Sequence, residues 1–541
     1  MTKTDALVVG AGPIGLTASI LLKQQGVAAL VIDKKQAFDN HPRARFMDSC
    51  TLELFRQMGV ADAIEATGIG RIWTKTVNCF TRLGDEPIAK SPSPEFHSVA
   101  RAITPQVPVM TCQDLIEPIL YERAKSLGVE VMLGQSFVAL SQQDDGCKVE
   151  IEDASTGERK TVDAGYVIGC DGVHSPVRKA IGGHLEGEVR DTFYRDVLFH
   201  ADLSPWLDAR DNQGALLWVA HANGTGMYQP LDGKQRFRAQ IAGLDPETEY
   251  DDDYFKDWIK ASVGADADFP IDIFSKLIWR VSARTADQFQ KGRVLLAGDA
   301  AHLFTPTGGM GMNTAFAGVR NLAWKLAFVI KGLAPESILE TYEAEWKPQA
   351  IWRSAVALEN HDFIVGVYRA YFAGEGLDEA LAAFEQYTDY PGVIFGYRVD
   401  SPLVKKDTGP QSRGSVREYF PAIKSGARLP HIWLDKAKKV SILDHCGSDY
   451  LLVLAPDADA RWDIAVEKIR AKSFPMRAPI HVPIHAIRLT REQAESTVYA
   501  EKAAVLVRPD IIVATHISKG EAVDPMMVLS DLVPSGESKW Q

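Results

Sequence analysis

The densest chemistry in this chain lies in LLAGDAAHLFTPTGGMGMN, residues 295–313. One acid, Asp299, stands there among small residues, followed by Pro306, Gly308, Gly309 and Gly311. An apolar run, Val294–Ala297, ends abruptly at Gly298–Asp299, and a helical pattern follows the glycines. Glycines let a backbone approach a ligand closely, and a helix start offers free N–H groups to negative charge. With no Lys-Ser pair of the P-loop kind, the stretch predicts a flat or anionic ligand. A second stretch, GAGPIG, sets Gly10, Gly12 and Gly15 in G-x-G-x-x-G spacing, with Asp33 ending the next apolar run. Such glycines permit a tight turn and bring a pyrophosphate to a helix N-terminus, while the acid accepts hydrogen bonds from a ribose. This unit predicts dinucleotide binding without separating NAD from FAD. A third stretch, VIGCDGVHSPVRKAIG, puts Asp171-Gly172 at a strand end with Ser175 and Arg178 at helix-start spacings. Alone, it reads as a capped turn with a surface arginine.

Elements of the right type surround these motifs. Residues 6–10 read as a buried strand, 14–25 as a helix and 28–33 as a second strand, a β-α-β unit of about 30 residues. Helices are expected at 51–60, stopping near Gly59, and at 113–127 despite Pro118, stopping at Gly128. VEVML, CKVEIED and RKTVDAGYVIG predict an antiparallel meander and a return strand into the main sheet. Residues 186–285 carry short aromatic-rich strands such as LLWVAHANGTGMYQPL, so a mostly β unit interrupts the first domain. The chain returns at 293–297, with helices at 312–331 and across 337–388. SPLVKKDTGPQSRGS (401–415) reads as a linker, and the tail shows two strands, YLLVLAP and AAVLVRPDIIVAT, with a helix at 462–472.

Composition narrows the function classes. With 59 Lys and Arg against 71 Asp and Glu, the net charge of −12 disfavours nucleic acid, which needs a basic face. Six scattered cysteines with no CxxC argue against a zinc site or dithiol centre and fit a reducing cytoplasm. No apolar run reaches the roughly 18 residues of a membrane helix, and ALVVG begins too soon after Met1 for a signal peptide. A cytoplasmic protein of about three or four structural units is expected.

The three motifs in this order, GxGxxG, DGxxSxxR and GDAAHxxxPxGGxGxN, resemble the group A flavoprotein aromatic hydroxylases, the para-hydroxybenzoate hydroxylase and phenol hydroxylase family, over roughly residues 4–390. RLPHIWLD (428–435) and VLVRPD (505–510) are similar to the family's longer, phenol-hydroxylase-type members. The resemblance implies an α/β fold. An FAD-binding Rossmann-like (GR2-type) domain (1–184, resuming at 286–400) is interrupted by a β-sheet substrate domain (185–285). Segments near 75–110 join the substrate side, a linker spans 401–424, and 425–541 form a thioredoxin-like domain without CxxC.

By the same resemblance the ligand is FAD, with NADPH or NADH as transient co-substrate. Gly10, Gly12 and Gly15 would hold its pyrophosphate, Asp33 its ribose, and Arg43 of PRAR its phosphates. Gln113 and Asp299 would meet the ribityl chain, and Asp171 would serve both FAD and NAD(P)H. Gly311, Met312 and Asn313 would begin a helix whose N–H groups face the negative charge of reduced flavin. The implied reaction is monooxygenation of a phenolic ring by O₂ through a flavin C4a-hydroperoxide, in a dry pocket with a hydrogen-bond partner for the phenol oxygen. Pro306, Arg45, Tyr228 and His200 are the candidate catalytic residues; Tyr194, Trp218, Arg238, Trp279 and Arg284 are further pocket candidates, and His302 is expected to be structural. A small aromatic substrate, O₂ and a homodimer are the expected partners, with no metal, nucleic acid or membrane. Phe46 replaces the family's usual glycine, Cys50 an arginine, Ala315 a glycine and Gly318 an aspartate. The alternatives are Baeyer–Villiger or epoxidation chemistry on a larger polyketide-like substrate, and a non-catalytic flavin-binding protein. A halogenase is disfavoured by the missing W-x-W-x-I-P segment.

Overall fold

The computed structural model describes residues 2–38, 41–74, 76–92, 102–208, 210–222, 224–407, 414–471 and 483–533. Residues 75 and 93–101 of the expected substrate-side segment, 408–413 of the linker and residue 472 of the last expected helix lie outside that set.

The chain opens with β1 (Thr2–Val9), α1 (Pro13–Gln24) and β2 (Ala29–Asp33). Next come α2 (Ser49–Met58), α3 (Gln113–Ser126), β3 (Arg159–Gly169) and α4 (Pro176–Ala180). After a long excursion follow β4 (Val294–Leu296), α5 (Met310–Ile330) and α6 (Glu340–Ala373). Local chemistry sets several boundaries. Asp48 caps α2 by accepting from the Thr51 N–H, and Gly59 ends it in the left-handed region at φ 75°.

The strands β4, β3, β1, β2 and Glu130–Leu133 lie side by side in that order, all parallel. Parallel strands covered on both faces read as continuous apolar runs, and Ala6–Val8, Val31, Ile32 and Val294–Leu296 are fully buried. From β1 the chain moves one way to β2, whereas β3 and β4 return on the other side. In such a sheet ligands bind beyond the carboxyl ends of the strands where direction reverses. The loops Gly10–Gly12, Cys170–Gly172 and Gly298–Asp299 leave β1, β3 and β4 at that shared end.

Between β3 and β4 the chain builds most of a second, eight-stranded sheet. Its order is His302–Leu303, Asp272–Ala286, Leu185–His200, Arg236–Ala242, Gly224–Pro230, Leu216–His221, Thr76–Phe80 and Ala89–Pro92. Strand pleating sends alternate residues to opposite faces. Val197, Phe199, Tyr228 and Phe237 pack with Phe255 and Trp258 of the helix Asp252–Val263. The opposite face carries Tyr194 and Trp218, which cluster with Tyr368 of α6 and with Tyr387.

The C-terminal part has a four-stranded sheet in the order Ile484–Arg488, Tyr450–Leu454, Lys502–Val507 and Val513–Ser518. The first two are parallel and the other pairings antiparallel. It docks on the rest through buried charge. Arg508 donates to Glu345 of α6 at 2.6 and 2.8 Å and to Asp510 at 2.5 and 3.0 Å, while Arg428 pairs with Glu53 of α2. Cys446 is a buried free thiol, as are Cys79, Cys112 and Cys147. Gly318 has a packing reason: a Cβ there would stand 2.4 Å from the Trp346 indole nitrogen.

Candidate active site

The first loop is built by exclusion. A Cβ on Gly15 would fall 1.8 Å from the Gly10 carbonyl oxygen, and one on Gly10, at φ 112°, 2.3 Å from that of Cys170. These glycines press helix, turn and the neighbouring loop together. Gly12 is different, because a Cβ there would meet nothing within 4 Å. It faces open space at the start of α1, whose N-terminus has no side-chain cap. Four N–H groups at a helix start lack intrahelical partners, which makes this an anion site. Asp33 accepts from Ala11 N–H at 2.7 Å and from Lys35 N–H at 2.8 Å. Carboxylate oxygens keep further lone pairs for a hydroxyl.

The second loop is a brace. Both Asp171 oxygens are engaged locally, one by the Ser175 hydroxyl at 2.5 Å and one by the Val177 N–H at 2.9 Å. Asp171 thereby caps α4, holding its loop as Asp33 holds the first one, and the neighbours Cys170 and Gly172 line the cavity. Arg178 is buried rather than on the surface, donating 2.7 Å hydrogen bonds to the Val173 and Ala300 carbonyls. It ties this loop to the Asp299 loop.

The third loop supplies the polar groups. Asp299 projects into the cavity, where burial pushes its carboxyl pKa up against the pull of Arg43. Pro306 is open to the same space and leads into Gly308 and Gly309, whose φ values of 83° and 64° only glycine adopts readily. Gly311 and Met312, in the first turn of α5, line the cavity, so the helix N-terminus faces it. Asn313 does not. Its amide donates to the Phe46 and Gly309 carbonyls at 2.9 and 2.8 Å and accepts from Asp48 N–H and the Thr51 hydroxyl, bracketing α5 to α2. Its side chain is thus a bracket, while the expected role of Asn313 is that of its backbone N–H in the first turn of α5. His302 is buried against Phe289 and Phe304, and burial pulls its pKa down to about 4, so it is neutral at physiological pH.

These loops open into a cavity of about 370 Å³. Arg43 and Gln113 line it, Gln113 donating to Glu117 at 2.7 Å. Beyond them the walls come from Phe46, Met110, Leu216, Phe304, Tyr387 and Tyr390. The Tyr390 hydroxyl donates to the Gly308 carbonyl at 2.5 Å. Arg238 and Gln229 also face the cavity. Arg238 pairs with Asp196, whose carboxyl burial alone would raise; Arg238 and His41 reverse this and hold it near 2. Arg45 is buried, donating to the Pro230 and Ala215 carbonyls, and makes no carboxylate pair among the described residues. Desolvation draws its pKa down to about 10, so it remains charged at neutral pH.

Two expected catalytic residues stand elsewhere. Gln229 faces the cavity opposite Arg238, so its neighbour Tyr228 must face away, and its hydroxyl meets Ser262 in the far core. His200 is on the Arg238 face but near the strand's end, half exposed, 3.5 Å from Asp272 and stacked on Phe274. Tyr194 stacks on Trp279, and Arg284 donates to the Leu185 carbonyl, both outside the cavity. Gln229, Phe304, Tyr387 and Tyr390 are lining residues that sequence reasoning missed. Only the alternation of the strand around Arg238 could have pointed to Gln229.

An uncapped helix start, a crowding-free glycine, a carboxylate aimed into the cavity and a flat aromatic chamber suit a flavin dinucleotide. Among the described residues no group of His, Cys, Asp or Glu is placed to hold a metal ion, and no helix is long and apolar enough to cross a membrane. Fold and site together define a flavin-binding oxidoreductase class. Comparison with known proteins agrees. Residues 3–354 match the family described as FAD binding domain, and residues 423–530 the one described as aromatic-ring hydroxylase, C-terminal. The chain is 30% identical to aklavinone 12-hydroxylase of Streptomyces purpurascens, with 96% of each chain covered. It is 29% identical to 2,4-dichlorophenol 6-monooxygenase of Cupriavidus pinatubonensis, over 95% of this chain and 93% of that one. Its fold is similar to that of the flavin-dependent monooxygenase PieE in complex with FAD and substrate, with a TM-score of 0.89, 26% identity and coverage of 98% and 99%. The chain belongs to the group A FAD-dependent aromatic hydroxylases.

Proposed function

We propose that this protein is an NAD(P)H-dependent monooxygenase that places one oxygen atom of O₂ on a phenolic ring. The observation that supports this best is the continuity of one cavity from the Gly12 helix start to the aromatic chamber around Tyr387. FAD, when bound, supplies the redox chemistry, taking electrons from NAD(P)H and passing them to O₂. The chain's own residues hold, orient and exclude water. Gly10, Gly12 and Gly15 shape the pyrophosphate seat, Asp33 takes the ribose, and Arg43 takes the phosphates. Gln113 and Asp299 receive ribityl hydroxyls, while Gly311 and Met312 present backbone N–H groups to flavin negative charge. Pro306 forms the wall over the reacting edge. Arg45 acts without contacting a carboxylate: its buried charge favours the phenolate form of the substrate, the electron-rich form that accepts oxygen. Tyr387, its own proton held tightly by burial, is a hydrogen-bond partner for the phenol oxygen.

The C-terminal sheet order, with one parallel and two antiparallel pairings, supports a thioredoxin-like reading, and its lone buried thiol leaves it a docking role rather than a redox one. A multi-ring phenol is the second reading, favoured by the likeness to an aklavinone hydroxylase. The test is oxidation of NADH and of NADPH by the purified FAD-loaded protein across single-ring and multi-ring phenols, with product counted against hydrogen peroxide. A phenol that accelerates oxidation and yields hydroxylated product carries the proposal. Peroxide alone with every phenol refutes ring hydroxylation.

A further inference from the structure

Behind Phe46, Gly309 and Tyr390 of the main cavity's wall lies a second space of about 10 Å³. These residues line both, so one layer of protein separates the two. Opposite charges face each other across the smaller space: Asp48, which caps α2, and Arg353 of α6. Arg353 is 4% exposed, yet makes no carboxylate pair among the described residues. Its guanidinium donates to the Val393 carbonyl at 3.0 Å and lies 4.9 and 5.5 Å from the Tyr397 and Trp346 rings. Aromatic faces attract a cation but leave its net charge in place. Its Nε–H has no hydrogen-bond partner in the protein. The space beside it is about one probe sphere, room for a single water with Asp48 as acceptor.

Asp48 in turn is tied to the start of α5. Its N–H donates to the Asn313 amide oxygen at 3.0 Å, and the Asn313 amide donates to the Gly309 carbonyl at 2.8 Å. Gly309 immediately precedes the turn whose Gly311 and Met312 face the main cavity. Burial raises the Asp48 carboxyl, while the Thr51 N–H and the Arg353 charge pull it down. The Arg353 charge also reaches the loop after Asp299, where it adds to burial in lowering His302.

We propose that Arg353 and Asp48 are an opposed pair of positioning charges that set the reduction equilibrium of FAD from behind the cavity wall. This rests on the flavin seat at α5. Two electrons and one proton leave the reduced cofactor with one negative charge near that helix start. A buried cation one layer away favours that charge, and a buried carboxylate disfavours it. Water and salt screen neither as they would at the surface.

The test is the reduction of FAD in the holoenzyme against a reference dye, in wild type, Arg353→Met, Asp48→Asn and the double variant. Methionine keeps much of the apolar packing, and asparagine keeps the α2 cap. Arg353→Met should shift the equilibrium at least tenfold toward oxidised FAD, about 30 mV for a two-electron couple. Asp48→Asn should shift it at least threefold the other way, and the double variant should fall between. A loosened seat would move both single variants in one direction. That result, or two unmoved variants, would overturn the proposal. If Arg353→Met retains no FAD, the sign of the shift in Asp48→Asn decides. Wild-type FAD matching free FAD would refute the seat at α5 and the pair with it. A shifted wild type with unmoved variants leaves the seat standing and removes the pair alone.

Discussion

Replacing Lys325 with methionine should leave the protein as stable as before or more so, although it deletes a fully buried ion pair. Nζ of Lys325 donates to Glu345 and Asn321, both at 2.8 Å, with nothing exposed to water. Glu345 retains its paired contacts to Arg508 when the lysine is gone. The two partners answer burial differently. Burial raises Glu345, but Arg508 and Lys325 reverse this and hold its carboxyl well below the usual range, whereas burial wins at Lys325 and takes it to about 8. From the ordinary value of 10.5 that is a burden of about 3 kcal/mol below pH 8. Against it stands the Asn321 oxygen left without its donor, at about 1–3 kcal/mol. The sum is near zero or favourable. Glu345→Gln instead strands two cations on Asp510 and should cost about 3–5 kcal/mol. The pH dependence is distinctive. Folding lowers the lysine pKa, so between about 8 and 10.5 the unfolded chain holds more protons and this group's contribution to stability rises with pH. That rise should vanish in Lys325→Met, and the difference from wild type removes the thiols, which titrate in both. Urea unfolding of the holoenzyme at pH 7 and 9.5, with activity and fluorescence recorded together, measures it. A Lys325→Met variant destabilised by more than about 3 kcal/mol at pH 7, with Glu345→Gln unaffected, would falsify this assignment of burden and partner.

Gly15→Ala should yield a protein that retains no FAD, since 1.8 Å between a Cβ and a backbone oxygen forces α1 off its seat; flavin absorbance after gel filtration reads it. Arg45→Met strands the Pro230 and Ala215 carbonyls at about 1–3 kcal/mol each, and should raise the pKa of a bound nitrophenol followed by its phenolate absorbance. No change in that pKa would remove Arg45 from substrate activation. Phe46→Ala should join the main cavity to the small one around Asp48 and Arg353 and shift kcat/KM by about tenfold or more toward multi-ring phenols, because pocket volume discriminates on that scale.

Much of the FAD-binding layer was legible in the sequence because its signals are local. Buried parallel strands announce themselves as apolar runs, and Gly10, Gly172 and Gly298 mark where those runs end in loops. Gly59 and Gly128 likewise end their helices in the left-handed region. Side-chain direction was less legible. Asp33, Asp171 and Asn313 are polar residues in motifs, but only coordinates reveal that all three side chains satisfy backbone groups of their own scaffold. The substrate half was harder still. Tyr387 and Tyr390 meet residues near 45 and 308 only through the tertiary fold, and a buried tyrosine has the same sequence signature as a core residue. Tyr228 and His200 failed for different reasons, one on the wrong face of its strand and the other too near the strand's end.

The division of the cavity between β1, β3 and β4 also fixes when cofactor can be captured. A ribosome emits the Gly12 helix start early, but the Asp299 and Gly311 wall comes roughly 300 residues later, about 15–60 s at ordinary synthesis rates. Throughout that interval the first strands carry an open crevice with half its donors missing. Flavin capture is therefore a late event in biogenesis. Scarcity of the vitamin should leave nearly complete chains waiting unloaded, and nascent fragments ending before β4 should hold no FAD at all.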